Sequence, residues 1–502
     1  MSEARRLHPA TLIVRWLKLV PQMLGAGIGL AAAGRGGGFS AFLWFGAVMM
    51  AIGAFFVLLA WWRFTYRIGE GDEGAPLFPG QRDGGPFIVI EKGIFQRQRR
   101  VIPFDRVQDI AIERRLLARL TGTAKVKIET GGSAKDEGNL DVIGLADAHA
   151  LRDQVRHGPA CAGAAPAEVA AEEPVLFAMD LKRLLLSGLF GFSLIFLAAI
   201  SAAVQQLDQF GLVEWDDWFN AERAEAVAGL ATLQVMIGVA ILVVLAGIVA
   251  GVARTVARDF GFRLTRAPAG LRRKRGLFTL SEVVIPIRRT QVALIESGPV
   301  ARWFGWYRLS FQTLGADQKE GGVQVAAPFA RMEEIAPILA EAGFPEPPPR
   351  REFQGIPRRA LFRQAFSWLA LMTIAGVAAF AVGPRAGIAA GVLLAGAILA
   401  LLRWRKHGHK LGESALFVSS GLIGRKLWIL PYDKAQTIRV ARGPLQRRLR
   451  LASLLVDTAG ASATRSPEMV DLDGAEADSM ADELLARFYM RRAALRAVAV
   501  PS

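Results

Sequence analysis

Apolar residues along the chain gather in blocks on the scale of a bilayer, and the blocks come in pairs. They lie near 14–33, 41–62, 182–204, 226–253, 361–382 and 386–402. Ala41–Trp62 would run about 33 Å as a helix, enough to cross the hydrocarbon, whereas Ala386–Leu402 would reach only about 26 Å. The pattern predicts six transmembrane helices in three pairs. After each pair the period changes. Val126 and Ile128 alternate with Lys125, Lys127 and Glu129, the signature of a half-buried strand. Leu309/Phe311 and Leu454/Val456 hold the matching places, and Ile110/Ile112, Ala293/Ile295 and Ile438/Val440 give another alternating set. Each stretch closes on an amphipathic segment, at Leu145–Arg156, Phe329–Ala342 and Ala475–Leu495. The expected fold is thus an α+β membrane protein: each helix pair is followed by a small β-sandwich or barrel with a C-terminal helix. The expected boundaries are pair 1 at 1–62, module 1 at 63–156, a linker at 157–180, and pair 2 at 181–253. Module 2 follows at 254–343, a Pro-rich linker at 344–360, pair 3 at 361–402 and module 3 at 403–497.

The three modules are copies of one unit. Starting at Gly93, Gly276 and Gly421, they align without a gap through Val142, Val325 and Val470. Six positions repeat in all three copies: Gly93/Gly276/Gly421, Pro103/Pro286/Pro431, Gln108/Gln291/Gln436, Arg119/Arg302/Arg447, Thr130/Thr313/Thr458 and Gly132/Gly315/Gly460. Chance would give on the order of 0.2 such triplets in this window. The glycines suit tight turns and the prolines suit strand starts or edges. The repeated arginine, which accompanies these fold markers, reads as a structural hydrogen-bond donor. In the third copy Arg450 replaces the glycine of Gly122 and Gly305, which puts its local turn in doubt. The modules are also expected to pack into one ring that buries open sheet edges.

Composition narrows the setting. Hydrophobic residues make up 52% of the chain, too many for an ordinary soluble protein of this length. Lys and Arg crowd the segments after the fourth and sixth blocks and before the fifth, whereas 205–225 carries six acids against Arg223. The positive-inside bias therefore puts both termini and all three modules on the cytoplasmic side of the inner membrane. The first block has a second reading, as a signal peptide with a basic start and Ala31–Ala33 as its cleavage site; the repeat favours a retained span. The formal charge of +16 is explained by topogenic arginines rather than by nucleic acid.

Chemistry is sparse. Cys161 stands alone, so no internal disulfide forms, and the five histidines make no metal-ligand spacing. No nucleophile elbow, phosphate loop or kinase set occurs, so neither a catalytic residue nor a cofactor site is assigned. The residues that remain are cationic and would lie near the anionic leaflet. They are Arg272, Arg273, Lys274 and Arg275 in the densest run, then Arg97, Arg99 and Arg100, and Arg425 with Lys426. Near a membrane surface each is worth about 1 kcal/mol.

The segments GIF…IPFDRVQ…ARLTG…ETGG, GLF…IPIRRTQ…ARWFG…QTLG and GLI…LPYDKAQ…QRRLR…DTAG resemble the bacterial pleckstrin-homology-like domain. This family was first catalogued as a domain of unknown function flanked by membrane spans. The resemblance covers essentially the whole chain. It implies a pleckstrin-homology (PH) type β-sandwich with a C-terminal helix and frequent company with a smaller single-module relative, and it does not imply an enzymatic activity. The expectation is a non-enzymatic membrane protein whose modules dock on lipid head groups or on such a partner, in a setting of envelope maintenance or stress defence. Transport of a lipid or amphipathic compound through the helix bundle is the first alternative, and a membrane-lipid-modifying enzyme the second.

Overall fold

In a computed structural model of the chain, the described residues are essentially 39–71, 84–157, 173–190, 230–366 and 403–499, less short gaps, with 5–12 ahead of them. Module 1 begins with β1 (Arg5–Arg6), the apolar helix α1 (Phe39–Arg63), β2 (Thr65–Gly71), β3 (Gly84–Lys92) and β4 (Gln98–Pro103). It continues with β5 (Val107–Arg115), the single-turn α2 (Leu116–Leu120), β6 (Thr123–Thr130), β7 (Gly138–Gly144) and α3 (Leu145–His157). Module 2 contains β8 (Val175–Ala178), α4 (Leu181–Leu189), α5 (Leu230–Asp259), β9 (Arg263–Ala267), β10 (Gly270–Arg275) and β11 (Thr279–Ile285). Then come β12 (Thr290–Ser297), α6 (Pro299–Trp303), β13 (Tyr307–Thr313), β14 (Val323–Ala330) and α7 (Met332–Glu341). Module 3 repeats the plan with β15 (Gln354–Gly355), β16 (Gly408–Leu411), β17 (Ala415–Ser420), β18 (Arg425–Pro431) and β19 (Ala435–Ala441). It ends with α8 (Pro444–Arg448), β20 (Leu451–Thr458), β21 (Glu468–Asp473) and the long α9 (Gly474–Ala499).

The repeated glycines and prolines sit where the backbone demands them. Gly93, Gly276 and Gly421 adopt φ of +118°, +118° and +132°, and a Cβ at each would lie 1.9–2.0 Å from the carbonyl oxygen three residues on. Only glycine fits that turn. Pro286 and Pro431 then open short 3-10 turns that carry the chain from a module's first sheet to its second. Arg450 keeps the left-handed turn of its glycine counterparts, at φ +54°, so the doubtful turn is retained under backbone strain.

Two other repeated positions do not hold one environment, which corrects their reading as equivalent fold markers. Gln291 is buried where β12 bulges between Thr290 and Val292, and its Nε2 donates to the Arg289 carbonyl at 3.0 Å. Its counterpart Gln436 is exposed on β19. The strands differ because β12 has a neighbour on each side and β19, among the described residues, has one side open. Arg447 likewise lies exposed on α8, and its side chain makes no hydrogen bond to the described residues. The expected structural donor is therefore absent from the third copy.

Three apolar clusters form the cores. One holds Ile88, Ile102, Ile128 and Leu140 of module 1; the second gathers Leu264, Ile285, Leu309 and Phe311 under Ile335, Ile338 and Leu339 of α7; the third packs Leu454, Val456 and Leu472 against α9. Each fully buried Ile or Leu contributes about 1.5–3 kcal/mol.

The modules are not separate sandwiches. Strand β5 pairs with β11 and β12 pairs with β18, so two continuous seven-stranded sheets run across the module boundaries. In the second of these, Ala293, Ile295, Leu427 and Ile429 face the core of module 2, while Leu294, Trp428 and Leu430 face that of module 3. The expected ring does not close. The first sheet ends on β4 and the last on β19, both edges open among the described residues.

The expectation of six transmembrane helices is corrected. Among the described residues no helix is long and apolar enough to cross a membrane, and the architecture is dominated by antiparallel sheets. In α1 the described side chains run over 47–63, about 26 Å of helix against a hydrocarbon layer of roughly 30 Å. In α5 their continuous run is 245–259, which carries Arg254, Arg258 and Asp259 in its last turns. Helix α4 stops at Leu189, and most of 14–33, 191–204, 367–382 and 386–402 lies outside the described residues.

Candidate functional site

Where modules 2 and 3 meet, the ends of α5, β12 and β18 frame a cleft of about 470 Å³. Its rim carries Arg254, Arg258, Arg308, Arg425 and Lys426 against two carboxylates, Asp259 and Glu296. Both acids are already committed. Asp259 accepts from Arg275 Nη1 at 3.0 Å, and Glu296 lies 3.4 Å from Lys426 Nζ. The cleft therefore holds uncompensated positive charge.

Further cations crowd this side, and the fold holds them in place. Arg350 Nη2 donates to the Arg405 carbonyl at 3.1 Å. Ser419 accepts from Arg425 Nε at 3.2 Å and donates to the Lys406 carbonyl at 3.3 Å. Burial first, then the charges of Arg302 and Arg350, pull the Lys406 ammonium below its ordinary value. Burial, Arg350 and Arg302 do the same to the Arg425 guanidinium. Cations that depress one another beside a cleft are stabilised by an incoming anion.

Beside the cleft stands an apolar tip. The turn of α6 and the residue after it present Val300, Trp303 and Phe304 to solvent, with Trp303 84% and Phe304 60% exposed. The tip is fixed from behind: Phe190 packs on Phe304 with ring centroids 5.6 Å apart, and Trp306 stacks on Phe329 at 4.2 Å. The equivalent turn in module 1 exposes Leu116 and Leu120.

The other basic residues singled out in the sequence fall elsewhere. Of the run Arg272–Arg275, Arg273 is buried and donates to the Val325 carbonyl at 3.1 Å, and Arg275 is buried against Asp259. Arg272 meets Glu173 at 3.1 Å, whereas Lys274 is exposed. The run is strand β10, so alternate side chains turn inward. Arg97 and Arg99 lie 3.7 and 3.6 Å from Glu91, and Arg100 is half-buried on the same edge strand. Arg425 and Lys426 alone of the nine line the cleft.

The repeated arginine takes three different roles, one for each copy. Arg119 reaches across the first module boundary, donating from Nη1 to the Leu277 carbonyl at 2.9 Å. Arg302 stands by the cationic cluster at the second boundary. Arg447 lies exposed on α8. In the sequence Arg254, Arg258 and Arg308 stand apart from Arg425 and Lys426, and their membership of one site was not foreseen. Their signal lay in the repeat itself, because the start of each module's fourth strand abuts the end of the preceding module's second sheet. Among the described residues no three of His, Cys, Asp and Glu gather as a metal would require.

A chain of three PH-like units sharing edge-joined sheets, with a cationic cleft and an apolar tip, defines a class. The bacterial PH domain model matches residues 23–158, 222–342 and 368–488, and the chain belongs to that family. It is also similar to the UPF0699 transmembrane protein YdbT of Bacillus subtilis (strain 168), with 24% identity over 95% of this chain and 97% of the relative. No solved structure matches.

Proposed function

We propose that the chain is a membrane-associated PH-domain array that docks, without turnover, on anionic lipid head groups at the cleft between modules 2 and 3. The observation that carries this reading is the exposed Trp303–Phe304 tip standing next to surplus, mutually repelling cations. A phosphate-bearing head group would enter among Arg254, Arg308, Arg425 and Lys426 while the tip enters the interface. Each cation near an anionic surface contributes about 1 kcal/mol, and burial of each tip side chain contributes on the order of 2 kcal/mol. Membrane association is further supported by the relative's name and by large exposed apolar residues on α1 and α5, among them Phe55, Leu58, Trp62, Ile241, Leu245 and Val249. Isolated exposed apolar residues are ordinary; faces of them on two long helices are not.

The test uses the full chain in nanodiscs containing phosphatidylcholine and phosphatidylglycerol, followed by analysis of the lipid retained after delipidating detergent washes. Wild type is expected to retain phosphatidylglycerol in preference, and Arg302→Ala/Arg425→Ala to lose that preference. Equal retention of both lipids by wild type would refute head-group docking. Capture of a single-module relative by such a protein would point instead to a protein partner.

A further inference from the structure

The two boundaries between modules are built alike, and the two free ends are built differently. Aligned by the repeat, Ile112 corresponds to Ile295 and Glu282 to Leu427; Ile112 faces Glu282 in the first join, and Ile295 faces Leu427 in the second. Glu113 opposite Ser281 likewise corresponds to Glu296 opposite Lys426, and Arg114 opposite Leu280 to Ser297 opposite Arg425. Both joins thus share one register. The edges β19 and β4, open among the described residues, are the third representatives of the same two strands, so a second copy of the chain could add its β4 to β19 by the same geometry. That register would set Ile438 against Val101, Val440 against Arg99 and Ala441 against Gln98. Shape and spacing invite head-to-tail joining, since an open edge is a template for pairing.

Charge forbids it. In the second join the pair Leu294–Trp428 is buried in the core of module 3. The corresponding residues at the two outer edges are Arg439 and Arg100, which would lie directly opposite each other. Like charges opposed across a strand pair are destabilising, and burial makes them more so. The exposure pattern agrees. Six of the eight residues of β12 from Thr290 onward are buried in succession, whereas β19 keeps Gln436, Thr437 and Arg439 exposed. Lysine or arginine on an edge is also a known way to blunt it.

We infer that Arg100 and Arg439 are chain terminators of the sheet: they keep a second copy of this protein from extending the array head to tail. The inference is independent of lipid docking, because neither residue lines the cleft.

The experiment uses the full chain in detergent with Cys161→Ser, Gln98→Cys and Ala441→Cys, so that only a β19–β4 join in this register brings the two thiols together between chains. Under mild oxidation at low salt this background is expected to stay uncrosslinked. Adding Arg100→Glu or Arg439→Glu alone, which places opposite charges in the pair, is expected to raise the crosslinked dimer and higher species at least tenfold. Adding both reversals together restores like charges and returns the crosslink to background. Because an edge substitution could disturb folding, the unreversed background is also measured in high salt, where screening should raise its crosslinking. Crosslinking of the background at low salt equal to that of the single reversals would overturn the inference. So would single reversals and high salt that both leave it unchanged.

Discussion

Removing the Asp471 carboxylate should loosen module 3 specifically. This side chain is fully buried on β21, in a residue held at φ +62°, and it gathers groups from two separate segments. Arg363 Nε lies 2.5 Å from its Oδ1 and Arg363 Nη2 donates to Oδ2 at 2.6 Å; Gln446 Nε2 donates to Oδ1 at 2.9 Å. Gln446 also donates to Ser453 Oγ at 2.9 Å. In Asp471→Ala the guanidinium loses this carboxylate and the carboxamide keeps only Ser453, and alanine gains nothing from a left-handed backbone. Breaking a buried pair from one side costs about 3–5 kcal/mol, and the partial exposure of Arg363 places this case near 3. Asp471→Asn keeps an acceptor for Gln446 and a residue type that tolerates the conformation, so about 1–2 kcal/mol is expected. Hydrogen–deuterium exchange of peptides from β20 and β21 provides the assay, because a multi-module chain has no single unfolding free energy. Three kcal/mol corresponds to roughly a 150-fold loss of protection, and the asparagine variant should lose about tenfold. Combining Arg363→Ala with Asp471→Ala should cost little more than Asp471→Ala alone. Protection within threefold of wild type in Asp471→Ala, or an equal loss in module 1 peptides, would refute the reasoning.

Other outcomes follow from the same structure. Gly276→Ala should destabilise module 2 by at least about 3 kcal/mol, since its Cβ would lie 1.9 Å from the Thr279 oxygen, while Gly298→Ala, which meets nothing within 4 Å, serves as the neutral control in thermal melts. Arg450→Gly should stabilise module 3 by about 1 kcal/mol by relieving its left-handed φ, and a lowered melting point would contradict this. Burial pushes the His409 imidazole down to about 4, although Glu476 Oε1 lies 3.3 Å from its Nε2. The unfolded chain therefore binds this proton first as pH falls, and up to about 3 kcal/mol of stability is lost between pH 6.5 and 4. Glu476, raised by burial and by Asp473, acts in the opposite sense, so the histidine's share is read as the difference between wild type and His409→Asn; identical pH profiles would count against it.

The sequence made the turn chemistry legible because the repeat isolates it. Three glycines at one alignment position proved to be three backbones at nearly the same positive φ. Side chains at repeated positions were less legible, since Gln291 and Gln436, or Arg119 and Arg447, differ in what packs beside them among the described residues. Helix ends were close, with α3 and α9 within a few residues of expectation, although Phe329 belongs to β14 rather than to α7. The shared sheets were not legible, since pairing of β5 with β11 depends on two edges that are 164 or more residues apart in sequence and that look like ordinary amphipathic strands. The same blindness scattered the cleft. Arg254, Arg308 and Arg425 come from three segments, whereas Arg272–Arg275 stands out as a run and then divides its side chains between two faces of β10. Apolar blocks read from hydropathy gave α1 and α5 their helical character but not a described crossing length.

The docking account is tested most directly by the depth of the α6 tip. A nitroxide is attached at Val300→Cys in a Cys161→Ser background of the full chain, reconstituted in phosphatidylcholine vesicles with and without phosphatidylglycerol, and its collision rates with oxygen and with a water-soluble nickel chelate are compared by electron paramagnetic resonance. Docking predicts that the label turns toward oxygen and away from nickel when the anionic lipid is present, and that Arg302→Ala/Arg425→Ala abolishes the change. A label that remains nickel-accessible in both membranes would contradict the account.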